Sequence, residues 1–313
     1  MILRSSSRLP AQCFYRDCQS QNMVPSSGPR SPESGLIVRK GSYFRRSDSK
    51  RIPRFQCLSC KRTFSQASYS DCFRQKKRRL NEPNRKLLST QGTHRGIARM
   101  LGISRGTLKE KALFLEKRAK GWQEEFLKEY SDKSPIREIQ FDEMEGFERS
   151  KCLPISIPLI VENKTNLILG FQVCSMPAKG HLAEISRRKY GYRIDERPQA
   201  AHQLFSKLKP YLSPTLEIST DENPKYPSWI RPHFPDAKHR KYKGRRGCVV
   251  GQGELKRGGF DPLFSLNHTA AMLRAHVSRL FRRTWNTTKK KERLAAHIAI
   301  YVQEHNQQIL SKL

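Results

Sequence analysis

The chain has 313 residues, with 61 lysines and arginines against 28 aspartates and glutamates, a formal net charge of +33. Its hydrophobic fraction of 36% falls below the usual globular share of roughly 45–50%, yet 9% aromatic residues suffice for a core, which argues against wholesale disorder. No apolar run approaches the roughly 18–20 residues that span a bilayer, and the opening MILRSSSRLP lacks the apolar stretch of a signal peptide, so a soluble, cytoplasmic protein is expected. Self-repulsion at this charge weakens a compact state unless a polyanion offsets it. Nucleic acid is therefore the first partner to expect, and an anionic membrane surface a distant alternative.

In chain order, the first 72 residues form a small module whose cysteines stand out. Cys13 and Cys18, then Cys57-Leu58-Ser59-Cys60, are two pairs on tight knuckles that can set four thiolates tetrahedrally around Zn²⁺ at about 2.3 Å each. The alternative is four free cysteines in a poorly ordered tail. Cys72, Cys152, Cys174 and Cys248 have no partner at ligand spacing and read as packing or incidental. Between the pairs, Leu36 to Val38 and Tyr43-Phe44 look like strands in a loop-heavy segment. Lys61-Arg62-Thr63-Phe64 would offer charge and an aromatic ring to phosphates.

Residues 73–133 begin as a basic connector, RQKKRRLNEPNRK, and continue at helical spacing through Ile97, Ala98, Met100 and Leu101, then Leu108, Ala112 and Leu115. Ala98 lets two helices cross closely, Gly102 permits a left-handed turn, and Ser104 caps the second helix. This is a helix-turn-helix pattern, with an ordinary helical hairpin as the alternative. In it Arg105, Thr107 and Lys109 would face the major groove. A further helix through Trp122, Phe126 and Leu127 stops at Ser134-Pro135.

Residues 134–313 alternate strands and helices, which predicts a mixed α/β domain. Strands are expected at Ile136–Phe141, Ile155–Val161, Leu167–Val173 and Leu216–Ser219, with a helix through Ala200, Leu204 and Leu208. Asp142 and Asp221 each follow a strand, where two carboxylates can share Mg²⁺ or Mn²⁺ for phosphodiester chemistry. Mere solvation of these acids is the competing reading. A long helical region from about Thr269 carries an apolar stripe of Leu273, Val277, Leu280 and Phe281. Beside it Arg274, Arg279, Arg282 and Arg283 form a cationic belt suited to DNA phosphates.

Together these motifs resemble bacterial insertion-sequence transposases of the IS-one type, the InsA/InsB-like group, over nearly the whole chain. The resemblance implies a zinc ribbon ending at Phe64, a helix-turn-helix from Gly96 to Leu108, and an RNase H-like DDE catalytic domain. Phe141-Asp142-Glu143 is similar to that domain's first acidic motif and Thr220 through Tyr226 to its second. It also implies structural Zn²⁺, catalytic Mg²⁺ or Mn²⁺, cleavage and strand transfer at the ends of double-stranded element DNA, a homo-oligomer on that DNA, and a nucleoid location. One position departs: where the family has its third acid, a glutamate, this chain has Asn267. Asn267, His268 or Glu254 could complete the site, or the chain could be an impaired transposase that acts as a DNA-binding repressor.

Overall fold

The computed structural model describes residues 9–10, 12–19, 36–46, 48–243, 261–281 and 285–313. Two compact units divide the chain, Met1–Asn81 and Glu82–Leu313.

The first unit is built on three antiparallel strands in the order β1-β2-β3: β1 (Ile37–Arg45), β2 (Lys50–Cys57) and β3 (Thr63–Ser65). Seven of the nine β1 residues are exposed, so the sheet has little apolar matter to bury. Its core is Ile37, Phe55 and Phe64 with Cys13, Cys18 and Cys57. A core this small does not normally hold a fold without a covalent or metal staple.

In the second unit, α1 (Asn81–Leu88) leads to α2 (His94–Met100) and α3 (Arg105–Lys133). The Thr93 side chain accepts from the Gly96 N–H and the Ser104 side chain from the Thr107 N–H, so both helices start on side-chain caps. Gly102, at φ +58°, makes the left-handed turn between them. Helix α3 runs unbroken for 29 residues. The expected break before Trp122 is not there, because Ala119 and Leu115 on one side and Phe126 and Leu127 on the other are buried along the same helix.

The sheet has the order β6-β5-β4-β8-β9, from β4 (Ile136–Phe147), β5 (Pro154–Glu162), β6 (Ile168–Phe171), β8 (Leu212–Asp221) and β9 (Lys238–Tyr242), with β7 (Cys174–Ser175) beside β5. β4, β5 and β6 pair antiparallel, while β8 and β9 run parallel to β4. Both faces are covered, so β5 is buried at seven consecutive positions. Ile139 and Phe141 of β4 pack with the end of α3, with α5 (Arg197–Leu208) and with α6 (Tyr226–Ile230). Met144 of β4 and Ile157, Leu159 and Val161 of β5 pack with α7 (Phe264–His276) and α8 (Lys291–Leu310). The remaining helix, α4 (Leu182–Tyr190), joins the β7 and α5 segments.

Ile97, Leu108, Ala112 and Leu115 of α2 and α3 share one buried cluster with Ile300 of α8. One sequence expectation changes here. The C-terminal helical region is two helices. Residue Val277, extended at ψ 100°, ends α7, and Ser278–Leu280 form a 3-10 turn, so Arg279 is not on a helix face. No described helix is long and apolar enough to cross a membrane.

Polar pins fix α8 in place. The buried His297 donates through Nε2 to the Leu88 carbonyl at 2.7 Å, and burial pushes this imidazole down to about 4. Folding thus keeps it neutral, whereas the unfolded chain takes up a proton below about pH 6.5. Its contribution is complete above that pH and is lost as pH falls toward 4, a difference of about 3 kcal/mol. Urea midpoints at pH 7 and pH 4.5 should therefore fall apart more in the wild type than in His297→Met. Equal pH dependence in the two would refute this.

Candidate functional site

Three features carry chemistry. The first is the cysteine cluster: the Sγ atoms of Cys13, Cys18, Cys57 and Cys60 all lie within 4.8 Å of one another. Cys13 and Cys60 are 3.8 Å apart and Cys18 and Cys57 3.7 Å. A tetrahedron with Zn–S bonds of about 2.3 Å has edges of about 3.8 Å; these two edges match it and the others lie within 4.8 Å, so the four sulfurs could hold a metal ion such as Zn²⁺. They are much too far apart for disulfides, whose sulfurs meet at about 2.05 Å. Burial pushes the Cys13 thiol up to about 12, so a metal cation is what would let it ionise. Two turns shape the knuckles: the Cys18 N–H donates to the Tyr15 carbonyl and the Cys57 N–H to that of Arg62, with Lys61 at φ +59°. Arg62 stacks over the Tyr15 ring at 4.1 Å and pairs with Asp17, and Phe64 is buried. Phe64 therefore packs inward instead of facing a ligand. Among the described residues, this is the one group of three or more His, Cys, Asp or Glu side chains with metal-ligand spacing.

The second feature is the acidic pair. The parallel pairing of β4 with β8 reaches Gln140 and Ser219, and two residues further along each strand come Asp142 and Asp221, near enough for the charge of Asp221 to act on Asp142. Asp221 ends β8 as expected, but Asp142 does not follow its strand, because β4 continues to Phe147 in pairing with β5. Both acids are half-buried. Burial pushes the Asp142 carboxyl up; the Tyr226 hydroxyl and the Glu143 N–H oppose this, and the charges of Asp221 and Glu145 add to the rise. Tyr226 donates to Asp142 Oδ1 at 2.7 Å. The adjacent Glu143 is already engaged, accepting from Ser156 at 2.6 Å with Arg197 3.9 Å away. Asp221 accepts from the Asn223 N–H at 3.0 Å.

The third position resolves in part. Asn267 is exposed in the first turns of α7, and its amide donates to Asp261 Oδ2 at 2.9 Å. Gln140, buried in β4 two residues before Asp142, holds that helix start: its amide nitrogen donates to the Pro262 carbonyl and its oxygen accepts from the Leu266 N–H. His268 turns elsewhere, stacked on Phe264 with its Nδ1 buried and without a partner. Glu254, Arg282 and Arg283 lie outside the described residues. Tyr226, Gln140 and Asp261 were not singled out from the sequence. Only Tyr226 had a cue there, as the close of the motif beginning at Thr220.

The third feature is a groove of about 1170 Å³ lined by residues of α2 and the first half of α3, by Ser278, Arg279 and Phe281, and by residues between Trp285 and Ile300. Arg95, Arg99, Arg105 and Lys109 line one wall, and no acidic residue among the described ones lines the groove. Thr107 accepts or donates at 3.0 Å to the capping Ser104 hydroxyl, and Lys109 has Glu110 at 3.4 Å. Arg279 lies in the opposite wall, whereas Arg274 is half-buried on α7 and does not line the groove. The belt expected from the sequence is therefore split between two surroundings. Scanned against protein-family models and searched against curated proteins, the chain finds no match.

Proposed function

We propose that the chain is a DNA transposase that binds the ends of a mobile element and performs metal-dependent cleavage and strand transfer. One observation carries this reading: Asp142, within β4, and Asp221, the last residue of the adjacent parallel strand β8, each lie two residues beyond the paired Gln140 and Ser219 in a sheet of order β6-β5-β4-β8-β9. That order fits an RNase H-like domain, and the pair fits its first two acids. Asp142 and Asp221 would hold Mg²⁺ or Mn²⁺, which when bound activates the attacking oxygen and stabilises the leaving one. Tyr226 orients Asp142 by its hydrogen bond, and Gln140 fixes the start of α7, where Asn267 occupies the third position. The cysteine cluster supports a zinc ribbon, and the capped α2–α3 pair supports a helix-turn-helix whose Arg105, Thr107 and Lys109 meet the duplex. Joining two element ends calls for a homo-oligomer on DNA, and a DNA substrate implies a nucleoid location.

A second reading is a DNA-binding repressor derived from such an enzyme, favoured by the neutral Asn267. Incubation with Mn²⁺ or Mg²⁺ and a duplex carrying the sequences that flank its reading frame separates the two. The enzyme nicks and joins that duplex, whereas the repressor retards it in a gel and leaves it intact. In the same binding assay Arg105→Ala should cost about 1–3 kcal/mol on the preferred sequence and relax sequence preference, as loss of a major-groove contact does. Uniform weakening on all sequences would assign Arg105 to phosphates instead.

A further inference from the structure

Arg279 sits in the 3-10 turn Ser278–Leu280, half-buried in the wall of the basic groove. Its Nε is shielded from solvent and has no hydrogen-bond partner, and among the described residues Nη1 reaches the Thr288 hydroxyl at 3.5 Å. No carboxylate among the described residues pairs with it. Its charged neighbour is Arg293 of α8, and burial together with that like charge pushes the guanidinium down to about 10. Nearby His94 is pushed down to about 3 by burial and then by the charges of Arg279, His297 and Arg293. A half-buried guanidinium that shares a groove with a second one, with no carboxylate paired to it among the described residues, is costly to a fold unless an anion supplies the missing charge.

The surroundings are held firmly. The Ser278 hydroxyl donates to the Gly92 carbonyl at 3.0 Å, and the Gln91 N–H donates to the His276 carbonyl at 2.9 Å, so the turn is tied to the loop preceding α2. Arg279, Phe281 and Thr287 also line a second cavity of about 330 Å³, which reaches Glu145, Gly146 and Phe147 at the end of β4. Gly146 is four residues past Asp142, about 13 Å along an extended strand. The turn thus stands where the basic groove gives way to the acidic end of the sheet.

We propose that Arg279 and Arg293 form a seat for one phosphate group of a nucleic-acid backbone at this junction. The inference rests on the DNA-binding part of the proposed function and not on cleavage. A guanidinium suits this ligand because its planar fork of donors matches two phosphate oxygens at once, and a phosphodiester brings the charge that the seat lacks.

Thermal melting of the full chain, in inorganic phosphate and in chloride at equal ionic strength, tests the seat. Phosphate should raise the wild-type melting temperature by several degrees. Arg279→Met should melt higher than the wild type without phosphate and gain nothing from it. Arg293→Gln, on an exposed position of α8 where folding is not at risk, should lose most of the phosphate effect. Saturating duplex DNA should abolish the phosphate increment, and the slope of log K against log salt should fall by about one in Arg279→Met. A phosphate effect of equal size in the wild type and both variants overturns the seat. A phosphate effect that survives saturating DNA, with the salt slope unchanged, overturns the backbone assignment in favour of a free phosphate ligand. Neither readout depends on strand cleavage, so failure of the transposase chemistry would leave the result standing.

Discussion

Cys57→Ser should cost the protein both its bound metal and the fold of its first unit. The four sulfurs lie within 4.8 Å of one another, two of their separations at tetrahedral edge length, and three of the four cysteines are among the six buried members of that unit's core. Removing one thiolate breaks the clamp and leaves the other thiols buried and unpaired. For structural zinc the apparent free energy is about 10–16 kcal/mol, far more than a core of Ile37, Phe55 and Phe64 can supply. Chelation should do the same to the wild type. Metal analysis should find about one Zn²⁺ per wild-type chain and none in the variant, and hydrogen exchange should show residues 37–65 losing protection. Unchanged zinc content in Cys57→Ser, or none in the wild type, would show that the cluster is not a zinc centre.

Asp142→Asn and Asp221→Asn should each reduce metal-dependent cleavage by about a thousandfold or more while leaving DNA affinity nearly unchanged. Each amide keeps the shape of the side chain and removes one negative charge from the acids proposed to hold the metal, and a metal clamp contributes several kcal/mol to a phosphodiester transition state. The arginines of the groove are untouched. Tyr226→Phe should have a smaller effect, since it deletes only the 2.7 Å hydrogen bond that orients Asp142. Asn267→Glu discriminates between readings of the third position. The amide now donates to Asp261, so a glutamate there would set two carboxylates against each other. Increased cleavage in this variant would identify a damaged three-acid site, whereas decreased cleavage would make the amide a working part of it. Full activity in both aspartate variants would remove Asp142 and Asp221 from the chemistry.

The parts legible in the sequence were those whose signal is local. The paired cysteines bring their own spacing, the Gly102 turn and Ser104 cap need only a few residues, and the buried run Ile155 to Val161 admits little besides a central strand. What was missed depends on distant partners. Strand β9, KHRKY, has no apolar pattern, and it is a strand because its backbone pairs with β8 while Lys238 and Arg240 meet Glu217. β2 carries Pro53 among charges and pairs on both sides within a sheet that is mostly solvent-facing. Arg279 is visible in the sequence as a member of the cationic belt, but not its half-buried place beside Arg293, which depends on the chain turning at Val277. Likewise Asp261 becomes relevant only when Gln140, more than a hundred residues earlier, draws the start of α7 onto β4.

Helix α8 completes two cores at once, with Ile300 among the α2–α3 residues and Leu294, Ile298 and Val302 against the sheet. Its partners lie far back along the chain: His297 meets Leu88 across 209 positions, and Asn306 meets Ile168 across 138. Neither the α2–α3 pair nor that face of the sheet can be fully buried before this late segment arrives. Such non-local closure has a large loop entropy to overcome, which makes for slow folding through collapsed species with an open apolar sheet face. Refolding from denaturant should accordingly be slow and lose material to aggregation as concentration rises, and a partner that shields the sheet face until α8 docks would raise the yield.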